Sequence, residues 1–285
     1  MYPYIIMSCQ LTLWWCWLML TYRNVLFVYL KYKPNDHMTC NKVHSWCKKW
    51  RVLLNANKSK CMHFRKSGIR SNFSFKIGNS NLKSVDRYKY LGVTFYEKAD
   101  YTFNSELLGK AAGRASGSII NNIYGLKDCG LKTYEKLYNA CVVPVLDYCS
   151  SVWSFKLYQK IDNVQNRVMR YFIGLHRFRP ILAMAGDTGW LSSVYRRWLA
   201  MLRLWNRLTS MDDTRLTKQV FLYELAKRNN NWSRTLMGHI GLIDHFTDRA
   251  AVNLCAAKTL ICEYYSGIWK SDIVRVPKLR TYCLF

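Results

Sequence analysis

Acidic residues are scarce in this chain of 285 residues. Asp and Glu number 17 against 43 Lys and Arg, so the formal net charge is +26. None of the first 35 residues is acidic, and none lies between Lys42 and Arg70, where nine Lys or Arg occur. Such a positive surface repels itself unless an anion lies nearby. The composition therefore favours a nucleic acid or an anionic membrane surface as partner, and a basic protein without an anionic partner is the alternative.

Paired cysteine motifs are also absent. The 11 cysteines include no Cys-x-x-Cys pair, and their number is odd. This excludes the usual signatures of a disulfide framework and of a zinc ribbon. Reduced thiols are typical of an intracellular protein, nuclear or cytoplasmic. We predict no metal site and no cofactor in this chain.

The first 35 residues form an apolar segment without acidic residues. Met1 to Tyr22 carries no charge at all, and its length approaches the ~20 residues of a spanning helix. Ser8, Gln10 and Thr12 weaken that pattern, and the basic residues follow the apolar run, unlike those of a signal peptide. Buried strands or a packed helix explain the segment better. A membrane anchor over residues 1–30 stays open as the alternative.

The remaining pattern indicates an α+β protein that is mostly helical. Apolar residues make up 50% of the chain, enough for a folded core. Short alternating segments predict a small antiparallel sheet over about residues 60–95, followed by a helical bundle. Four parts are predicted: an apolar N-terminal segment (1–35), a strand-containing region (36–99), a first helical region (100–180) and a helical extension (181–285).

Apolar residues at helical spacing predict several long helices after Asp100. Pro144 should kink or divide one of them, because proline lacks the backbone N–H. Gly174 is predicted to cap another at its C-terminus. Trp46, Trp50, Trp153 and Trp190 are interpreted as core aromatics rather than base-stacking platforms. The predicted helices are Phe103–Ile123, Leu131–Trp153, Tyr158–Ile173, Leu191–Leu208, Leu216–Arg228 and Ala250–Tyr265.

One series of motifs comprises Trp46, Trp50, Leu54-Asn55, Lys58, Lys60, Met62 and Phe64, followed by Tyr88–Phe95. Their order resembles that of a non-LTR retrotransposon reverse transcriptase of the LINE or jockey type, in which the first set is similar to motif D and the second to motif E, the primer grip. Leu137–Tyr148 with Trp153 is similar to the first thumb helix, and Ile161–Leu175 is similar to the next. Gly189-Trp190-Leu191 and Arg196-Arg197 resemble the region behind the thumb. The match runs from about Asn41 to Arg207.

The resemblance implies the C-terminal, truncated part of an RNA-directed DNA polymerase, with thumb helices that lie along a template–primer duplex. RNA, DNA or an RNA–DNA hybrid is then the expected partner, bound through phosphates without base specificity. No small-molecule substrate is expected. Each feature has an alternative. The basic residues are then a solvated face, the residues similar to motif E are a core strand, and the whole chain is a translated remnant without function. The implied nucleic-acid-binding residues are Lys58, Lys60, Tyr90, Leu91, Gly92, Arg167, Arg170, Arg177 and Arg179.

The chain departs from this family where the chemistry would occur. Such a polymerase holds two Mg²⁺ ions with aspartates, and the Phe/Tyr-x-Asp-Asp turn lies some tens of residues before the position of Trp46. Here the first acidic residue is Asp36. Met211-Asp212-Asp213 follows the thumb-like region instead, where an aspartate at a helix start is the simpler interpretation. We therefore expect no catalytic residues and no polymerase activity from this chain alone.

Overall fold

A computed structural model shows two units, residues 1–104 and residues 105–285. The structure describes residues 5–7, 16–20, 26–30, 44–51, 55, 57–64, 75–124, 129–176, 178–227, 231–241 and 252–279. The fold is α+β and mostly helical, which confirms the predicted class.

A five-stranded mixed sheet organises the first unit. Its strands are, in spatial order, β1 (Ile5–Met7), β2 (Cys16–Leu20), β3 (Leu26–Leu30), β4 (Lys60–His63) and β7 (Lys83–Ser84). The first three pair antiparallel, whereas β4 runs parallel to both of its neighbours. Parallel neighbours need a crossover connection, and helix α1 (residues 44–49) lies in the connection between β3 and β4.

Two separate antiparallel hairpins complete the strands of this unit. One joins β5 (Lys76–Ile77) to β6 (Ser80–Asn81), and the other joins β8 (Arg87–Tyr90) to β9 (Val93–Tyr96). The prediction of one small antiparallel sheet over residues 60–95 is therefore wrong in detail. These residues contribute to three sheets, and β4 pairs in parallel with the remote apolar strand β3. Local turn signals cannot reveal a partner that is distant along the chain.

The second unit is helical, and α2 begins just before it. Its helices are α2 (Thr102–Tyr124), α3 (Leu131–Leu137), α4 (Val143–Leu146), α5 (Ser150–Trp153), α6 (Gln159–Ile173), α7 (Ile181–Thr188), α8 (Ser193–Thr209), α9 (Leu216–Lys227), α10 (Asn231–Gly241) and α11 (Leu254–Arg275). α7 and α10 were not predicted, and α11 extends beyond the predicted end at Tyr265.

Pro144 divides its helix, as predicted. α3 continues into one π-helical turn, Tyr138–Val142, and α4 then begins with Pro144 in its first turn. A proline inside a regular α-helix would clash with the carbonyl four residues earlier, and a π-turn widens the backbone there. Cys149 takes a left-handed conformation with φ of 51° before α5 begins. The predicted single helix is thus three helices with a π-turn.

Gly174 ends α6 as predicted. Its φ is +69°, and its N–H bonds the carbonyl of Tyr171, while the N–H of Leu175 bonds the carbonyl of Arg170. These two hydrogen bonds make a Schellman motif, which favours glycine because other residues are strained at positive φ.

Aromatic side chains fill the core of the second unit. Trp205 of α8 contacts the Phe221 ring edge-on at 5.1 Å and stacks on Trp232 at 6.4 Å, so α8 packs against α9 and α10. Trp153 and Trp190 are buried, as predicted for core aromatics. Trp50 is 62% exposed, so its assignment to the core is wrong. Trp50 directly follows α1, which ends at residue 49, and its ring lies 6.3 Å from that of Trp46.

Candidate nucleic-acid interface

Lys58 and Lys60 lie at the turn before β4. The Asn55 carboxamide oxygen accepts a hydrogen bond from the Lys58 N–H at 3.0 Å, which orders this turn. The Lys58 side chain is exposed, while the Lys60 ammonium donates to the Asn57 carbonyl at 2.6 Å. Lys58 is therefore better placed than Lys60 to contact a phosphate.

The structure brings the β8–β9 hairpin close to this turn. The Tyr88 hydroxyl of β8 donates to the Lys58 carbonyl at 3.4 Å. Tyr90 is half-buried, and burial raises the pKa of its phenol because the charged form loses hydration. The predicted motif D and motif E residues thus lie side by side in the first unit.

The hairpin loop presents an exposed leucine in a strained conformation. Leu91 and Gly92 have φ values of 45° and 84°, as the two loop residues of a type I′ turn require. Asn or Gly usually occupies the first position, and a leucine there costs about 1–2 kcal/mol. Leu91 is also 67% exposed. The tip of the hairpin is therefore both strained and exposed.

The cations predicted on α6 lie in different environments. Arg167 is exposed, on the same helix face as the exposed Lys160 seven residues earlier. Arg170 is half-buried, and its buried Nε has no hydrogen-bond partner among the described residues. Arg179 follows the helix and pairs with Asp187 at 3.9 Å. Arg177 lies outside the described residues.

A buried hydrogen-bond network positions α6 against its neighbours. The Gln165 carboxamide oxygen accepts from the Tyr138 hydroxyl at 3.3 Å and from Arg196 at 2.9 Å. Its amide nitrogen donates to the Leu191 carbonyl at 2.8 Å. Burial raises the pKa of Tyr138 to about 12. With its partners satisfied, Gln165 fixes the rotation of α6 relative to the π-turn and α8.

Two arginines of α8 pair with carboxylates from other helices. Arg196 Nε donates to Asp147 at 2.8 Å. Burial opposes the charge of Arg196, but Asp147 and Tyr138 together outweigh burial and raise its pKa. Arg197 is 1% exposed, lies 3.7 Å from an Asp162 oxygen and donates to the Ser193 hydroxyl at 3.0 Å. Burial lowers the pKa of Arg197. The Ser193 hydroxyl in turn donates to Asp162.

Sequence reasoning identified Arg196 and Arg197 only as part of a resemblance. It missed their partners Asp147 and Asp162, although both carboxylates lie in the helices that the pattern predicted. The pairing of Arg196 with Asp147 spans 49 residues. The sequence offered one signal for this pairing, because Asp147 and Asp162 are acidic residues within a strongly basic region. A scarce carboxylate there is a candidate partner for a buried arginine, since a buried guanidinium needs an opposite charge.

Asp212 caps a turn before α9. Its carboxylate accepts hydrogen bonds from the backbone N–H and the hydroxyl of Thr214, and these bonds lower its pKa. In the described ranges, no group of three or more His, Cys, Asp or Glu side chains is arranged to hold a metal ion. Asp212 thus closes a turn ahead of α9, which begins at Leu216, and does not bond an N–H of the helix itself.

Among the helices that the structure describes, none is both long and apolar enough to cross a membrane.

Comparisons with known proteins find no matching family model, no similar curated protein and no similar solved structure. The resemblance to a reverse transcriptase therefore stays a prediction from the order of the motifs.

Proposed function

We propose that this chain is a palm-end and thumb-like part of a non-LTR retrotransposon reverse transcriptase, and that it binds the backbone of RNA, DNA or an RNA–DNA hybrid. It binds paired strands without base specificity, and this chain by itself lacks polymerase activity. The motif order from Asn41 to Arg207 and the net charge of +26 support this proposal.

One observation carries the proposal: the outer face of α6 keeps its positive charge uncompensated. Asp162 is the one acidic residue of this helix, and it is engaged by Ser193 and by the buried Arg197. Lys160 and Arg167 are exposed on the same helix, without an ion pair among the described residues. A cationic stripe with its carboxylate directed inward suits a phosphate backbone.

Pre-organisation supports the same proposal. The network around Gln165 fixes the rotation of α6. Binding through Lys160 and Arg167 therefore does not lose free energy to ordering of the helix. α2 also approaches this helix closely: a Cβ at Gly109 would lie 3.3 Å from the Lys160 carbonyl oxygen. A rigid helix face can follow a regular array of phosphates.

Charge reversal on α6 tests the proposal. We expect the Lys160→Glu/Arg167→Glu variant to bind a fluorescent RNA–DNA hybrid more than tenfold more weakly at low salt. The slope of log K against log [KCl] should fall by about one for each lost phosphate contact. Fluorescence anisotropy over a KCl series measures both quantities. Arg170 is left unchanged, because its buried Nε makes a packing effect inseparable from a binding effect.

The matched control is Lys258→Glu/Lys270→Glu on α11. Both lysines are exposed, so the control changes the total charge equally. We expect it to weaken binding slightly and to leave the salt slope almost unchanged. Equal losses in the two variants would show that bulk charge, not the α6 face, attracts the hybrid, and would contradict the proposal.

A further inference from the structure

The exposed face of α6 ends at an aromatic ring. Four of its exposed residues recur at intervals of three or four positions, so they lie on one side of the helix: Lys160, Asn163, Arg167 and Tyr171. Tyr171 is 42% exposed and lies one helical turn after Arg167, about 6 Å further along the axis. The two cations that carry the proposed function are therefore followed, on the same face, by an aromatic side chain.

A more exposed aromatic side chain follows in the connection between α6 and α7. Phe178 is 74% exposed, more than any other large apolar side chain in the described part of the chain. The exposed His176 ring lies beside it, with 5.0 Å between the ring centroids and 46° between the planes. A single apolar side chain at a surface is ordinary, so the exposure of Phe178 acquires meaning only from what surrounds it.

Basic residues flank this ring in the sequence. Phe178 stands between Arg177 and Arg179, and no acidic residue occurs between Asp162 and Asp187. An apolar partner at this turn would remove water from the neighbouring guanidinium groups, which is unfavourable unless an anion replaces the water. A nucleotide offers both an apolar ring face and an adjacent phosphate, so it suits an aromatic side chain with cations on either side.

The turn that carries Phe178 is held at both ends. Gly174 ends α6 in the Schellman motif, and the Arg179 N–H donates to the His176 carbonyl at 3.0 Å. The Arg179 guanidinium also lies 3.9 Å from the carboxylate of Asp187 in α7. Because the backbone is already ordered, a ligand that contacts the ring does not lose free energy to ordering of the turn.

We infer that an unpaired nucleobase stacks on Phe178 at the end of the α6 face. The inference rests on the proposed function, because Lys160 and Arg167 hold the neighbouring phosphates. Proteins that bind single strands combine cations along the backbone with aromatic rings that stack on bases, and such stacking tolerates any base. Bases inside a duplex already stack on both sides, so Phe178 takes a base from a single-stranded overhang. The preferred ligand is therefore a hybrid duplex that continues into a single strand.

Fluorescence anisotropy of the full chain tests the inference with three labelled RNA–DNA hybrids of equal paired length. One is blunt, one has a short single-stranded overhang, and one has the same overhang with abasic sites in place of its bases. Both overhangs carry the same phosphates, so they differ only in the bases available for stacking. Hybrids with the overhang on the RNA strand and on the DNA strand are both measured.

We expect the overhang with bases to bind about tenfold more tightly than the abasic one, because one stacked base contributes roughly that factor. Their salt slopes should be equal, because both release the same number of counterions. The ratio of their affinities therefore stays constant across a KCl series. Equal affinities for the two overhangs on both strands, or a ratio that disappears as salt rises, would overturn the inference. This comparison uses the unmodified chain, so it does not depend on the folding of a variant.

Variants locate the stacking site. Phe178→Ala should make the two overhangs bind equally, whereas Phe178→Trp keeps an aromatic ring and should preserve the difference. Leu157→Ala is the matched control, because Leu157 is 73% exposed just before the start of α6. It should leave the difference intact. A preference that survives Phe178→Ala, or that Leu157→Ala also abolishes, would contradict a stacking site at this turn.

Failure of the stacking site and failure of the backbone site give different results. Phe178→Ala should leave the affinity for the blunt hybrid and its salt slope unchanged, whereas Lys160→Glu/Arg167→Glu should weaken the binding of all three hybrids. If the charge-reversed variant binds as the unmodified chain does, the proposed function fails. The comparison of overhangs with and without bases then still decides whether a base stacks on the protein.

Discussion

At the scale of single residues, Asp162 links α6 to the buried Arg197 of α8. It neutralises the buried Arg197 and directs the negative charge of α6 away from its exposed face. The surface pair of Asp272 and Arg275 is a different case, since their side chains are 42% and 77% exposed. The two pairs should therefore differ in their effect on stability.

Removal of the two carboxylates tests this difference. We expect Asp162→Ala to lower the free energy of unfolding by about 3 kcal/mol, because it leaves a buried guanidinium without its partner. Asp272→Ala should lower it by less than about 1 kcal/mol, because solvent screens an exposed pair. Urea unfolding monitored by circular dichroism measures both. Similar losses would contradict the burial of the Arg197 charge.

At the scale of elements, the end of α6 depends on a single backbone conformation. Gly174 has a φ of +69°, and nothing lies within 4 Å of the place where its Cβ would be. Gly117 lies inside α2 in an ordinary helical conformation and has equally open space. Substitution by alanine should therefore lower the free energy of unfolding at Gly174 and raise it at Gly117.

Glycine-to-alanine variants separate conformation from contact. We expect Gly174→Ala to destabilise the chain by about 1 kcal/mol, because an L residue is strained at positive φ. Gly117→Ala should stabilise it by about 0.5–1 kcal/mol, because alanine restricts the unfolded chain and favours the helix. Thermal unfolding of each variant measures the change, and a stabilising Gly174→Ala would contradict the left-handed cap.

Local sequence signals predicted the helices and their ends better than the pairing of strands that lie far apart along the chain. The C-cap at Gly174 and the division at Pro144 were predictable, because each depends on the backbone chemistry of one residue. The π-turn at Tyr138–Val142 was not, since the buried residues Tyr134, Tyr138, Val142 and Leu146 recur every four positions, a spacing that an uninterrupted α-helix also gives. α7 is short, and its eight residues give little periodic signal. The parallel pairing of β3 with β4 joins segments that no local pattern connects.

At the scale of the whole molecule, the distribution of carboxylates decides the expected activity. Catalysis by two metal ions needs aspartates in the strands before motif D, and no acidic residue precedes Asp36. We expect the purified chain to add no nucleotide to a primer–template in the presence of Mg²⁺ and all four dNTPs. Gel analysis of a labelled primer measures this.

The Asp212→Ala/Asp213→Ala variant is the control for primer extension. Both aspartates lie in the turn before α9, where Asp212 bonds Thr214. Extension by the chain that is lost in this variant would assign the metal site to these residues. Extension that survives in the variant would place carboxylates for catalysis elsewhere, and either result would contradict the predicted inactivity.

The sequence by itself determined the helical bias, the caps, the positive charge and the absence of early carboxylates, because each follows from the residues at one position or in one stretch. Tertiary structure decided which cations are free. Arg196, Arg197 and Arg179 are paired with carboxylates, whereas Lys160 and Arg167 remain exposed. These outcomes depend on contacts between helices far apart along the chain, which composition and periodicity do not specify.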